Sequence, residues 1–399
     1  MRLAIFWHDL LHYHAARIHA LVAYAKEMGH TVQAYILCAQ PDTLWHLNYH
    51  EQLADHVQIL SHDPLQAGEF SQRSKHQLLQ ALDQFQPDVV AIIGYTGPVS
   101  RAALGWCRAH QRGAVLMLSS HAADYTRVWW KEWPKRQLVC LYDAAIVSGT
   151  RQADYARQLG LSPERIRTGY GVVDNEFWRN GAALVRANRQ SGQRDDRYPI
   201  QFFLTACRFV PKKNLSGLLN AYAMYVAQAE TNPWPLVIVG DGPLAPMLQQ
   251  QVHDLNLTHL VHFPGYLSST EMATVYGLAS TFVLASAYAE QWGLVVNEAM
   301  AAGLPVLVSE ICGCVPDLVL DGETGFAFDP GDGQALATLL GTFSSGGVDT
   351  AAMGEKAQRY IQHFSPAVFA QNLFVVAEQA IRHAERRRWS MWPSPYFWR

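Results

Sequence analysis

The sequence predicts an α/β protein with two doubly wound domains that face each other across a cleft, and three observations support this prediction. Short apolar runs alternate with amphipathic stretches of helical length, which is typical of parallel sheets covered by helices on both faces. The alternation pauses over residues 181–199, which are polar, and then resumes. At 399 residues the chain is also too long for one ordinary core. We therefore expect two Rossmann-like domains.

The elements follow from these runs in order. In the first half, strands are expected at residues 3–7, 32–37, 89–93, 115–119 and 144–147, and helices at 15–28, 73–85 and 151–159. In the second half, strands are expected at 202–206, 236–239, 261–263, 281–284 and 306–308. The predicted domains are residues 1–180 and 200–365. The segment 181–199 between them is interpreted as a mobile linker or a surface helix.

Composition excludes several classes of protein. A hydrophobic content of 49% and a charged content of 16% are typical of a soluble globular protein. The net charge of −3 argues against a protein that binds nucleic acid by neutralising phosphates. The strand-like N-terminus meets His8 and Asp9 too soon for a signal peptide or a membrane span. The six cysteines show no paired zinc spacing, so we expect a reduced, cytoplasmic protein.

Two glutamates, Glu290 and Glu298, lie where a strand-like run gives way to a helix-like run. The backbone N–H groups of Gly293 and Leu294 are then expected at a helix N-terminus, which favours phosphate oxygens. Ionised carboxylates accept hydrogen bonds from diols. Taken alone, the glutamates also fit a structural role, because acidic residues complement the helix dipole. Taken together, the pattern predicts a diphosphate flanked by two polyols, which is a nucleotide sugar.

Residues 290–309 closely resemble the signature of family-four retaining glycosyltransferases, which have the two-domain GT-B architecture. The resemblance covers most of residues 140–330, and its other segments are residues 171–174, 208–214, 240–243, 263–266, 313–317 and 321–326. It implies that the C-terminal helix, at about 366–385, crosses back to the first domain. The N-terminal third of the chain is much less diagnostic.

The resemblance also implies roles for individual residues. Glu290 corresponds to the glutamate that contacts the donor sugar, and Glu298 to the glutamate that binds the ribose hydroxyls. Arg208 and Lys213 correspond to the basic pair that grips the diphosphate. A metal-free enzyme must neutralise this leaving group with cations and helix dipoles. His121 resembles a histidine that reaches the donor sugar or the reaction centre from the N-terminal domain.

Further donor contacts are expected in the loops that follow the strands of the second domain. The main chain near Gly265 and Tyr266 is expected to read the base. The remaining donor-site candidates are Gly240, Asp241 and Trp292, with Gly293 and Leu294 at the diphosphate. The donor is expected to be a UDP-, GDP- or ADP-sugar, and neither a metal nor a cofactor is expected.

A nicotinamide enzyme is a rival interpretation of one segment. Gly240, Gly242 and Ala245 match the dinucleotide-binding pattern with alanine at its third position, and they follow a strand. However, an acidic residue is missing about twenty positions later. The first strand of the chain also lacks a glycine-rich turn.

The first loop contains His8, His12 and His14, with His19 further along, and this spacing could bind a metal. The preferred interpretation is a loop that lines the cleft and contacts the acceptor or the diphosphate. Glycosyltransferases of this family commonly carry a glycine pair here, so the acceptor side is where the chain departs from the family. Other acceptor-side candidates are Tyr95, Trp129, Trp130 and Lys131.

The predicted function is transfer of a sugar from a nucleoside diphosphate to a hydroxyl acceptor, with retention of the anomeric configuration. The alternatives are a nucleotide-sugar epimerase of the same fold and a catalytically silent partner subunit. Residues 386–399 combine arginines with tryptophans. This tail is expected either to contact the inner face of a membrane peripherally or to pack into a groove of the protein.

Overall fold

The computed structural model describes residues 1–39, 50–62, 67–193, 195–229 and 232–390. These residues form two compact units. The first contains Met1–Ala122, Arg127–Val173 and the chain from Phe364 onward, and the second contains Ala123–Thr126 and Asp174–His363. Each unit is built on one parallel sheet, so the predicted pair of Rossmann-like α/β domains is confirmed.

The first sheet has seven strands among the described residues. They are β1 (Arg2–Trp7), β2 (Thr31–Ile36), β3 (Val57–Ile59), β4 (Val89–Ile93), β5 (Gly113–Leu118), β6 (Ala144–Val147) and β7 (Ile166–Arg167). Their order is β3-β2-β1-β4-β5-β6-β7, and all pairs are parallel. The two edge strands, β3 and β7, were not predicted, because runs of three and two residues carry too little periodicity.

The helices of this unit cover both faces of the sheet. Up to residue 158 they are α1 (His12–Glu27), α2 (His50–Leu53), α3 (Ala67–Phe85), α4 (Pro98–Ala109), α5 (Trp129–Val139) and α6 (Thr150–Gln158). Alternate residues of β1 enter different cores: Ile5 packs with Ile18 of α1, whereas Phe6 packs with Leu82 and Trp106 of α3 and α4. Burial on both faces explains why the strands are almost entirely apolar.

The second unit repeats this plan. Its elements are α7 (Asn175–Gln190), β8 (Phe203–Ala206), α8 (Leu215–Gln228), β9 (Leu236–Val239), α9 (Ala245–Asp254), β10 (Val261–Gly265), α10 (Ser269–Leu278), β11 (Thr281–Leu284), α11 (Leu294–Ala301), β12 (Val306–Ser309), α12 (Val315–Leu318), β13 (Gly325–Phe328), α13 (Gly333–Ser344) and α14 (Thr350–Tyr360). The strand order is β10-β9-β8-β11-β12-β13. The order reverses between β8 and β11, and ligands of such sheets bind at this switch point, beyond the carboxyl ends of the strands.

The boundary between the units differs from the predicted linker at 181–199. Helix α7 begins after Asp174, whose side chain accepts a hydrogen bond from the N–H of Phe177 at 3.1 Å. Trp178 and Ala182, four residues apart, are buried on one side of this helix. The helix therefore belongs to the second unit from residue 174 onward. The prediction started the segment at 181 and so missed both the cap and the buried tryptophan.

The last helix, α15 (Pro366–Ser390), returns to the first unit. Phe369, Leu373 and Phe374 are buried in the same core as β1 and α1. Near its end, Arg387 forms an ion pair with Asp143. The helix thus continues five residues beyond the predicted 385, while residues 391–399 of the predicted tail lie outside the described residues. Across the described part of the chain, every helix is too short or too polar to cross a membrane.

Candidate functional site

The candidate donor site lies in the second unit, in loops at the carboxyl edge of its sheet. Arg208 comes two residues after β8, Gly240 directly follows β9, and Gly265 ends β10. Glu290 lies in the loop between β11 and α11. Because the strands are parallel, their carboxyl ends meet at one edge, so the sequence candidates of this unit share one region.

Lys213 and Glu290 form an ion pair between two of these loops. Only 12% of the lysine side chain and 10% of the glutamate side chain are exposed. Ser286 donates a hydrogen bond to Glu290 Oε2 at 2.9 Å. The backbone N–H of Ala287 donates to the carbonyl of Lys212 at 2.8 Å, which joins the loop after β8 to the loop after β11. A nearly desolvated cation and carboxylate are therefore held together at the switch point of the sheet.

Helix α11 follows Glu290 closely in the chain, and its N-cap is Gly293, whose φ of 104° is left-handed. A Cβ on Gly293 would lie 3.0 Å from Leu284 Cδ2, so both space and conformation favour glycine. The N-cap provides no side-chain hydrogen bond to the first turn of the helix. The N-terminus that begins at Leu294 thus has the features of a site for phosphate oxygens.

Trp292 is buried instead of lying on the surface of the loop. Its Nε1 donates to Asn297 Oδ1 at 2.9 Å, and its carbonyl accepts the N–H of Cys314 at 3.2 Å. The indole therefore anchors the loop to α11. A part for Trp292 in donor binding stays a prediction, and the buried position of the ring could not be read from its place beside Glu290 in the sequence.

Glu298 lies one turn into α11 and is half-buried. Tyr276 Oη donates to Glu298 Oε2 at 3.0 Å. Burial raises the pKa of the Glu298 carboxyl to about 7, and the hydrogen bond from Tyr276 opposes this rise only in part. The carboxyl therefore titrates near neutral pH, a property that the sequence pattern did not indicate.

The turn after β9 supports the turn that holds Arg208. A Cβ on Gly240 would lie 1.9 Å from the carbonyl oxygen of Cys207, and a Cβ on Gly242 would lie 2.7 Å from that of Phe209. The N–H of Phe209 donates to the Asp241 carbonyl at 2.8 Å. The two glycines are thus explained by a close approach of two backbones, while Arg208 between these turns is exposed.

Substitution of Gly240 by alanine is expected to lower the free energy of unfolding by about 2–3 kcal/mol. The residue has φ of 128°, and an added Cβ would collide with the Cys207 carbonyl. The matched control is Gly265→Ala: φ is 84°, but an added Cβ would meet nothing within 4 Å, so a cost of about 1 kcal/mol is expected. Urea denaturation measures both. A larger loss for Gly265→Ala would contradict the close approach as the cause.

Gly265 and Tyr266 lie next to this glycine turn. The N–H of Gly240 donates to the Gly265 carbonyl at 2.9 Å. Tyr266 follows with 83% of its surface exposed. An open main chain and an exposed ring at the end of β10 are suited to contact with a planar base.

The candidates of the first unit lie at the carboxyl side of its own sheet. His121 is buried three residues after β5, and its carbonyl accepts a hydrogen bond from Arg127 Nη2 at 2.6 Å. Tyr95 follows β4 and is buried. Trp129 and Trp130, at the start of α5, are exposed.

The histidines of the first loop do not assemble as ligands. His14 is buried, stacks on Trp7 with 5.0 Å between ring centroids, and accepts the N–H of Leu11 on Nδ1 at 3.2 Å. Burial holds the pKa of His14 well below its ordinary value, so the ring is neutral. In the described ranges, no group of three or more His, Cys, Asp or Glu residues is placed to hold a metal. His14 instead accepts a hydrogen bond from a backbone N–H group at the start of α1.

Two residues that contact the candidate glutamates were not predicted from the sequence. Ser286 supports Glu290, and Tyr276 supports Glu298. Neither belongs to a recognisable motif. The only available signal for Ser286 was its place in the loop directly after a strand end.

Comparison with known proteins assigns the chain to a class. Residues 186–360 match the family model for glycosyl transferases group 1, and residues 14–177 match the model for glycosyltransferase family 4. The D-inositol 3-phosphate glycosyltransferase of Streptomyces coelicolor is 27% identical over 317 residues, which is 71% of this chain and 68% of the relative. The enzyme of that name from Streptomyces avermitilis is 30% identical over 307 residues, or 71% and 65% of the two chains.

The fold comparison agrees with these matches. The crystal structure of Anabaena HepE in complex with UDP superposes with a TM-score of 0.68 at 19% identity, covering 95% of this chain and 100% of that one. Sucrose-phosphate synthase from Thermosynechococcus elongatus gives a TM-score of 0.69 at 18% identity, covering 98% and 99%. The chain is therefore a glycosyltransferase of the GT-B fold, with a glycosyltransferase group 1 domain over residues 186–360.

Proposed function

We propose that this enzyme transfers a sugar from a nucleoside diphosphate donor to a hydroxyl acceptor, with retention of configuration and without a metal. The observation that carries the proposal is the desolvated Lys213–Glu290 pair at the switch point, close in the chain to the N-terminus of α11. The cation suits the anionic diphosphate of a nucleotide sugar, and the carboxylate suits the hydroxyl groups of its sugar, which donate hydrogen bonds.

In this proposal the positive groups bind the leaving diphosphate. The ammonium of Lys213, the exposed guanidinium of Arg208 and the N–H groups at the start of α11 supply the charge that a metal ion would otherwise provide. Their effect is largest when the bond from the anomeric carbon to the diphosphate breaks, because negative charge then accumulates on the phosphate oxygens.

The carboxylates bind the two polyols. Glu290 would orient the donor sugar through its hydroxyl groups, and Glu298 would accept hydrogen bonds from the ribose. The sequence does not single out a side-chain nucleophile for the reacting face of the sugar. The acceptor oxygen would therefore attack from the face that the diphosphate leaves, and its proton would pass to the departing phosphate oxygen.

The relatives suggest which donors and acceptors should be tested first. HepE was crystallised with UDP, so UDP-sugars are the first donors to test, followed by GDP- and ADP-sugars. The two Streptomyces relatives are named for D-inositol 3-phosphate, which belongs in the acceptor panel beside simple glycosides. His121 and the loop that contains His8 are the proposed acceptor-side groups.

A thermal-shift screen tests the donor site. Nucleoside diphosphates and their sugars are expected to raise the melting temperature by several degrees at concentrations about 100-fold above Kd, because a ligand of the folded state stabilises it by mass action. The matching nucleosides without phosphate are the control and should give little shift. The proposal fails if no nucleoside diphosphate changes the melting temperature.

Product analysis then distinguishes the alternatives. A transferase releases nucleoside diphosphate in proportion to the glycosylated acceptor. An epimerase would convert the donor sugar with no acceptor present. A silent partner subunit would release no nucleotide and would tolerate Glu290→Gln.

A further inference from the structure

Helix α5 exposes three tryptophans on the surface of the first unit. The exposed fractions are 79% for Trp129, 59% for Trp130 and 62% for Trp133. The rings of Trp129 and Trp130 lie edge to face with centroids 5.9 Å apart. Tryptophan is normally buried for most of its surface, so three exposed rings within five residues point to a surface that binds something.

The helical positions arrange these side chains as one face. At about 100° per residue, the three tryptophans and Pro134 span an arc of roughly 140°. Exposed Arg136 lies beyond one edge of this arc, and exposed Lys131 lies beyond the other. The outer side of α5 is thus an aromatic strip flanked by cations.

The inner side of α5 is already occupied by the protein. Val139 is fully buried. Glu132, the single acidic residue of the helix sequence, accepts hydrogen bonds from Tyr155 Oη at 2.7 Å and Lys135 Nζ at 2.6 Å. Its negative charge is therefore engaged on the protein side, so the outward charges of Lys131 and Arg136 are both positive.

We propose that α5 docks on the surface of an anionic lipid bilayer. Indole rings favour the boundary between head groups and acyl chains, where the apolar ring is buried and the N–H still finds an acceptor. Flanking cations at the same depth attract anionic head groups. A bilayer is preferred to a protein partner as the occupant, because the outward charges on both edges of the strip are positive and therefore suit a uniformly anionic surface.

Docking would also place part of the proposed acceptor side at the membrane. His121 precedes α5 by eight residues, and Arg127 links them: it donates to the His121 carbonyl at 2.6 Å and pairs with Glu132 at 3.6 Å. A hydroxyl acceptor carried by a lipid would then reach the loop of His121. This last step rests on the proposed function, whereas the docking itself does not.

Sedimentation with vesicles tests the docking on the full chain. The protein is expected to bind vesicles of phosphatidylcholine mixed with phosphatidylglycerol far better than vesicles of phosphatidylcholine alone. The variant W129A/W130A/W133A should lose at least roughly tenfold in partitioning, since it lacks the aromatic surface that would be buried in the bilayer. The variant K131Q/R136Q should lose most of the preference for phosphatidylglycerol and its dependence on salt.

The controls keep the docking separate from folding and from non-specific adsorption of exposed apolar side chains. Leu184→Ala removes an equally exposed apolar side chain of the second unit and should bind vesicles as the wild type does. The triple variant should keep the wild-type melting temperature, because its tryptophans are exposed. Wild-type-like vesicle binding by the triple variant would overturn the proposal, as would a tryptophan-dependent dimer that ignores vesicles.

Discussion

Replacing Lys213 with methionine is expected to lower kcat/KM for sugar transfer by about 10²–10³-fold. Lys213 is held by Glu290 at the carboxyl edge of the sheet, with only 12% of its side chain exposed. A cation with so little water around it stabilises developing negative charge more strongly than a solvated one does. Methionine keeps most of the apolar stem but removes the charge. Release of nucleoside diphosphate, measured as initial rates, gives the result.

The same substitution has a second expected effect, on stability. It leaves the largely buried carboxylate of Glu290 without its cation, which should lower the free energy of unfolding by about 1–3 kcal/mol. The double variant K213M/E290Q removes both charges. It should recover much of the stability but none of the activity.

Lys356→Met is the matched control, since Lys356 is an exposed lysine of helix α14. It should change neither the rate nor the stability beyond about 0.5 kcal/mol. Two outcomes would remove Lys213 from the mechanism: a near-normal rate in K213M, or recovery of activity together with stability in the double variant. The second outcome would mean that the pair only holds the loops together.

The strands could be predicted because the sheet is buried on both faces. Continuous apolar runs such as those of β1 and β4 have no other stable place in a soluble chain. Strand β13 was missed, since Gly325–Phe328 is only four residues long and its two middle residues are less buried than its ends. Helix α7 begins before the segment 181–199, for which a surface helix was one of two interpretations; its start was not predicted because its apolar positions are few, although Trp178 and Ala182 already have helical spacing.

The site could be predicted only where its geometry depends on residues that are neighbours in the sequence. The start of a helix after Gly293 follows from the neighbouring strand and helix patterns, so a helix N-terminus beside Glu290 in the sequence could be expected. The contact between Lys213 and Glu290 joins residues 77 positions apart. It depends on β8 lying next to β11, and no local pattern contains that information.

Two motifs had a structural cause that the sequence did not reveal. The spacing of Gly240 and Gly242 matches a dinucleotide-binding pattern, yet both glycines are required where their backbone meets residues 207–209. His14 has a spacing that suits a metal ligand, yet its ring accepts the N–H of Leu11 at the start of α1. In both cases tertiary packing supplies the reason, and packing is not visible in a motif.

Glu298→Gln is expected to weaken binding of nucleoside diphosphate by about 10²-fold at pH 8 and to remove the part of its pH dependence that comes from this carboxyl. In the wild type, desolvation of the half-buried Glu298 raises the pKa of its carboxyl to about 7. The ionised form is the better acceptor for ribose hydroxyls. Affinity of the wild type should therefore rise between pH 6 and pH 8, with protons released on binding.

The free protein should show the opposite dependence. The folded-state pKa is raised from 4.5 to about 7, so between these values the folded state binds more protons than the unfolded state. The free energy of unfolding then falls as pH rises through this range. Glutamine removes the dependence, and the variant should exceed the wild type in stability above pH 7 by an amount on the order of 1–3 kcal/mol.

Calorimetric titration at pH 6, 7 and 8 measures the affinity and the proton release, and urea denaturation measures the stability. Glu355→Gln, which neutralises an exposed carboxylate of α14, should leave nucleotide binding as in the wild type. If Glu298→Gln raises the stability above pH 7 as expected but binds nucleotide like the wild type, the Glu298 carboxylate is not the ribose acceptor. A gain in stability combined with a loss of affinity is the signature of a buried group kept for its ligand, because such a carboxylate destabilises the protein that holds it.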